Sequence, residues 1–201
     1  GVSMGFDLSG VNPKMNMKPE ELPVYNKYND MSFKDKWEVL DKDEKLKDQY
    51  WEEYKKYQDA NPGIYFRNNV WWWRPLWQYV CEQFPDIITD EDASSGCNNN
   101  GLLIDDEKAM KIGLGLTAKL LDGSVKAYAD SYKAELDALE QLECDLCKGT
   151  GTRTDMKVNN GCNRCSGTGL KDDWAKSYPF HVENVQEFTK FCLESGGFEI
   201  W

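Results

Sequence analysis

Apolar residues recur along most of this chain at spacings of three and four, the period of helices packed along one face. Ser32-Phe33-Lys34-Asp35 resembles a capping box and opens a short predicted helix through Trp37 and Leu40. A longer helix is predicted from Asp43 to Asp59, with Leu46, Tyr50, Tyr54 and Tyr57 on one stripe, stopped by Asn61-Pro62-Gly63. Asp106 to Leu121 carries Met110, Ile112, Leu116 and Leu120, and its glycines at 113 and 115 predict close packing against a neighbour. Ser124 is the expected cap of the next helix, which aligns Val125, Tyr128, Ala129, Tyr132, Leu136 and Leu139. These two form a predicted antiparallel hairpin that delivers the chain to Cys144. A last helix from Val182 to Glu194 aligns Val185, Phe188 and Cys192 and stops at Gly196-Gly197. Phe198 to Trp201 reads either as a terminal strand or as a plug for the core. Residues 4–31 show no such period, and Pro13, Pro19 and Pro23 predict an extended arm wrapped on the body.

The densest apolar stretch is GIYFRNNVWWWRPLWQYVCEQF, from Gly63 to Phe84. Ile64-Tyr65-Phe66 is a short strand candidate. Pro75 suits the first turn of a helix but would kink one begun at Asn69. In either register Trp73, Trp77 and Val80 share one face, and Trp72, Leu76 and Tyr79 another. A helix apolar on two faces is the central core element. The other reading is an aromatic pocket in segment 64–80, where Trp71, Trp73, Arg74 and Asn68 stack on and pair with a flat polar ligand.

The predicted class is therefore mainly α: a helical body of about five or six helices with a small β-knuckle lobe. The expected organisation is a cloning scar at 1–3 ahead of Met4, an arm at 4–31, the body at 32–143, the lobe at 144–169, and a C-terminal helix and tail at 170–201 packing on the body. Composition agrees with a folded chain. Apolar residues are 40% and aromatic residues 13% of 201, which rules out a disordered class.

Charge narrows the partners. Lys plus Arg number 24 against 35 Asp plus Glu, a net of −11, which repels nucleic acid and favours basic partners or cations. Between Glu82 and Glu107 the chain has acidic residues and no Lys or Arg. Asp90-x-Asp92-x-Ser94 opens like a calcium loop, but its glycine comes one place late and position twelve is Gly101. Two readings remain: a solvated loop leading to a helix N-terminus, or an acidic partner face at Asp90, Glu91 and Asp92. No stretch is long and apolar enough for a membrane helix and no signal peptide opens the chain, so the expected location is the cytoplasm.

The chemistry is concentrated in CDLCKGTGTRTDMKVNNGCNRCSGTG, residues 144 to 169, where C-x-x-C-x-G-T-G is written twice. Cys144, Cys147, Cys162 and Cys165 have the spacing of a four-thiolate zinc site. The repeated glycines suit knuckles that aim backbone N–H groups at sulfur. Arg153 to Val158 is a strand candidate leading to a turn at Asn159-Asn160-Gly161. Zinc is the first reading and a labile disulfide pair the second. Four cysteines close the tetrahedron, so one structural Zn²⁺ is expected and the lone histidine, His181, is not required. The lobe is near neutral once the metal is counted, which argues against an RNA-binding knuckle. No catalytic constellation is visible: Cys81, Cys97 and Cys192 have no evident base.

The doubled phrase resembles the cysteine-rich zinc domain of DnaJ-type co-chaperones, over 26 of 201 residues. That family carries four copies and two ions; two copies here imply one ion. The resemblance implies a zinc-bound fold and, less directly, peptide binding; the J-domain tripeptide His-Pro-Asp is absent. A second resemblance spans MGFDLSGVNPKMN, NPGIYFRNNVWWWRPLWQYVC and WAKSYPF…NVQEFTKFC…SGGFEIW. These segments are similar to small proteins of tailed bacteriophages, notably marine ones. That likeness implies work in an infected bacterial cytoplasm and assigns no activity to any residue. The expected function is a non-enzymatic zinc-binding accessory protein that binds a host or phage protein through an acidic face. The alternative is a small-molecule or nucleotide binder on segment 64–80.

Overall fold

The computed structural model describes residues 4–153 and 161–201. It is mainly α, with eight α-helices among the described residues arranged on a small antiparallel sheet. The strands are β1 (Gly5–Gly10), β2 (Tyr65–Asn69), β3 (Leu102–Ile104), β4 (Leu142–Glu143), β5 (Leu170–Lys171) and β6 (Phe198–Ile200). The helices are α1 (Pro23–Asn29), α2 (Phe33–Leu40), α3 (Glu44–Ala60), α4 (Val70–Gln83), α5 (Asp90–Ser95), α6 (Asp106–Leu121), α7 (Ser124–Asp137) and α8 (Val182–Glu194). The main sheet has the order β2-β1-β6-β3, every neighbour antiparallel.

The sheet is where the expected picture changes most. The 4–31 segment is not an extended arm. Its first residues form an inner strand, Leu8 pairing with Phe66 on one side and Ile200 on the other. Phe6 and Leu8 alternate into the core while Asp7 faces outward, bonded by the Tyr65 hydroxyl and paired with Arg67 at 3.4 Å. Pro19 and Pro23 do not break helices here but open them. Each stands in a first turn, where the missing N–H has no helical partner to lose. The C-terminal segment is both strand and plug, since Phe198 and Ile200 are fully buried in β6.

Two apolar cores result. The larger fills the space between the sheet and helices α4, α6 and α8, around Trp73, Trp77, Ile112, Leu116, Phe188 and Phe191. The smaller joins α1 to α3 through Leu22, Tyr25, Tyr28, Leu40 and Tyr50. The cap predicted at Ser32 accepts the Asp35 amide at 3.2 Å, and Asp43 caps α3 by accepting the Leu46 amide at 3.1 Å. Ser124, by contrast, is the first residue of α7, and Gly123, at φ 83°, stands at its N-cap. A Cβ at Gly113 would lie 2.8 Å from Leu193 and one at Gly115 2.3 Å from the Phe84 ring, so both glycines permit the close packing expected of them.

Helix α4 settles the register of the tryptophan segment. Asn69 caps it, accepting the Trp72 amide at 2.9 Å, and Pro75 lies inside the helix, sixth from its start. Trp73 and Trp77 stack at 5.4 Å and are fully buried. Their indole N–H groups donate to the carbonyls of Gly96 at 2.8 Å and Ala93 at 3.0 Å, satisfying the end of the short helix α5. No helix among the described residues is long and apolar enough to cross a membrane.

Candidate metal centre

The hairpin of α6 and α7 delivers the chain to a small lobe sealed at its base by the two-stranded ladder of β4 and β5. Its two knuckles share one backbone geometry. Lys148 and Ser166, each just after the second cysteine of its pair, take positive φ values of 50° and 52°. The Thr150 and Thr168 hydroxyls donate back to the carbonyls of Cys147 and Cys165 at 2.7 and 2.8 Å. Each first cysteine then donates its amide to the other knuckle: Cys144 to Gly169 at 2.8 Å, and Cys162 to Gly151 at 2.7 Å. A Cβ at Gly151 or Gly169 would stand 2.3 Å from a carbonyl oxygen of the facing knuckle, so glycine there is a packing requirement. The duplicated sequence thus folds into a duplicated structure. The strand expected over Arg153–Val158 and its turn lie, apart from Arg153 and Gly161, outside the described residues.

This arrangement brings Cys144, Cys147, Cys162 and Cys165 together, all buried, with their sulfur atoms within 4.8 Å of one another. Cys144 and Cys162 Sγ are 4.0 Å apart and Cys147 and Cys165 Sγ 3.7 Å. Tetrahedral zinc with bonds of about 2.3 Å requires S···S edges of about 3.8 Å, whereas a disulfide requires about 2.05 Å. The four thiols are free, and their spacing fits a metal ion of that size. The Gly151 and Gly169 amides donate to Cys147 and Cys165 Sγ at 3.3 and 3.2 Å, which stabilises sulfur in the charged form a metal needs. At Cys165, burial disfavours the thiolate, but the Gly169 amide and neighbouring cysteines outweigh it and hold the thiol down at about 6. Its neighbour Cys147 is raised instead, to about 11, chiefly by burial. Outside the cluster, burial pushes Cys192 well above the ordinary thiol range and Cys81 up to about 12. Neither of these two is a reactive thiolate near neutral pH.

The residues considered for a ligand pocket are dispersed. Trp73 is core, and Asn68 is buried in a reciprocal pair with Asn184 at 2.9 and 2.8 Å. Trp71 is half exposed with its ring against Tyr178, and Arg74 lines a separate cleft beside Trp174. The packing role predicted for α4 accounts for Trp73, and a polar pair spanning 116 positions accounts for Asn68. The acidic residues divide as well. Asp90 and Glu91 are exposed in the first turn of α5. Asp92 instead turns back to the Thr89 amide at 3.3 Å and pairs with Lys108 at 2.9 Å. Burial would raise its carboxyl, but Lys108 and Thr89 outweigh that and hold it below the usual range. Sequence reasoning passed over Trp174, Tyr178 and the Thr150 and Thr168 hydroxyls, although the repeated G-T-G was a signal for the last two. The chain matches no family model, no curated protein and no solved structure.

Proposed function

We propose that this protein is a non-enzymatic, zinc-stapled accessory protein of a tailed bacteriophage, acting in the infected cytoplasm by binding a host or phage protein through an acidic face. The observation that carries the metal part is the buried four-sulfur cluster. Four thiolates complete the tetrahedron of zinc and leave no position for water or substrate. The binding free energy of such an ion goes into folding the lobe, whose buried interior is the cysteines themselves. The face is supported by the joint between α5 and α6. Lys108 holds Asp92 there, and Asp90 and Glu91 stay exposed nearby in sequence. Asp86, Asp105 and Glu107 line one depression together with Lys108 and Lys111, the latter paired with Glu107 at 2.6 Å. At a net charge of −11 a basic partner is drawn in by the long-range field.

Affinity capture from host lysate at low and high salt tests the reading. The expected result is one specific partner, released by salt and lost from the Asp90→Asn/Glu91→Gln double variant. Capture of nothing above control, or capture unchanged in that variant, rejects it.

A further inference from the structure

Between β5 and α8 the chain crosses the body as a strap. Asp173 caps a 3₁₀ turn, Trp174–Ser177, by accepting the Ala175 amide at 3.0 Å. The Tyr178 carbonyl accepts the Tyr132 hydroxyl of α7 at 2.7 Å, and its ring contacts Trp71 at 4.8 Å and Trp174 at 5.5 Å. Phe180 then anchors in the core against Tyr79 and Tyr128. The strap is therefore pinned on both sides of its turn except at Trp174, which is 71% exposed, more than any other tryptophan described.

Beneath Trp174 lies a cleft of about 230 Å³ lined by Arg74, Pro75, Gln78, Tyr132, Trp174 and Tyr178. Its one charge is Arg74. Arg67 and Arg164 have carboxylate partners, and Arg153 bonds to Asn163. Arg74 has no such partner among the described residues, in a chain with 35 acidic side chains against 24 basic ones. An unpaired guanidinium beside three aromatic rings matches a ligand that is both flat and negative. A cation is repelled by Arg74, and an aliphatic ligand leaves the guanidinium unused. The Gln78 amide donates to Glu82 at 2.9 Å, which leaves its oxygen as an acceptor for a ring amino group. The volume falls below the roughly 300–1,000 Å³ of drug-sized sites, so it suits a single nucleotide and no longer ligand.

We infer that this cleft binds a nucleoside monophosphate, the base stacked on Trp174 and the phosphate held by Arg74. The site is independent of the acidic face and does not rest on partner binding. Calorimetric titration of the zinc-loaded protein with the four ribonucleoside 5′-monophosphates, with the matching nucleosides and with inorganic phosphate tests it. At least one monophosphate should bind at one per chain, and its nucleoside at least ~10-fold more weakly. Arg74→Ala should weaken the monophosphate by at least ~10-fold and Trp174→Ala by at least ~5-fold. Both side chains are exposed, so melting midpoints should stay at the wild-type value, and Trp174→Phe should retain most of the affinity. Absence of saturable binding by all four nucleotides, phosphate binding as tightly as the nucleotide, or full affinity in Arg74→Ala or Trp174→Ala would overturn the assignment.

Discussion

At the residue scale, the knuckles separate two kinds of left-handed position. Gly169 has φ 77° and its Cβ would meet the Gly149 carbonyl at 2.3 Å, whereas Lys148 and Ser166 are ordinary L-residues held at φ 50° and 52°. Such residues cost about 1 kcal/mol in that region relative to glycine. Ser166→Gly should therefore leave metal affinity unchanged or raised, while Gly169→Ala should lower it by at least ~10-fold, measured by competition with a chelator. Asp92 gives a second expectation. Its folded-state carboxyl is lowered, so its contribution is present above the ordinary carboxylate range and is lost as pH falls through the folded value. Asp92→Asn should cost about 1 kcal/mol near neutral pH, and the gap to wild type should close below about pH 4 in urea titrations. The cysteine–glycine phrase was readable because its spacing encodes its geometry locally. The Asn68–Asn184 pair was not, because its partners meet only after the fold has closed.

At the scale of elements, the long periodic helices and the capped short helix α2 emerged from the pattern, whereas α1 and α5 did not. The stripes of α3, α6 and α8 run over several turns, and side-chain caps at Asp43 and Asp105 reinforce the first two. Helix α1 has seven residues and begins at a proline, and β1 is a six-residue strand bounded by glycines. Their signals are too short to outweigh the breakers they contain, and distant partners decide them. Helix α5 escaped notice because it is held by tertiary bonds from Trp73 and Trp77. That contact is tight: a Cβ at Gly96 would lie 2.3 Å from the Trp77 ring, itself stacked on Trp73. Gly96→Ala should destabilise the body by about 1–3 kcal/mol, read as a lower denaturation midpoint with metal occupancy unchanged.

At the scale of the molecule, the two ends of the chain are joined in one sheet, and the four-cysteine lobe is inserted between α7 and the strap. The body has apolar cores of its own, whereas the lobe's buried cluster is four cysteines. Metal removal should therefore unfold the lobe and spare most of the helical signal, giving a small loss in far-ultraviolet circular dichroism and a body that still melts cooperatively. The most direct test is elemental analysis of protein purified under reducing conditions, combined with intact mass and cobalt substitution. One zinc per chain, a tetrahedral cobalt spectrum with thiolate charge-transfer bands, and loss of both in Cys162→Ser are expected. Protein isolated without metal whose lobe is nonetheless folded, or a mass showing disulfides among the four cysteines in place of the ion, would contradict the zinc assignment.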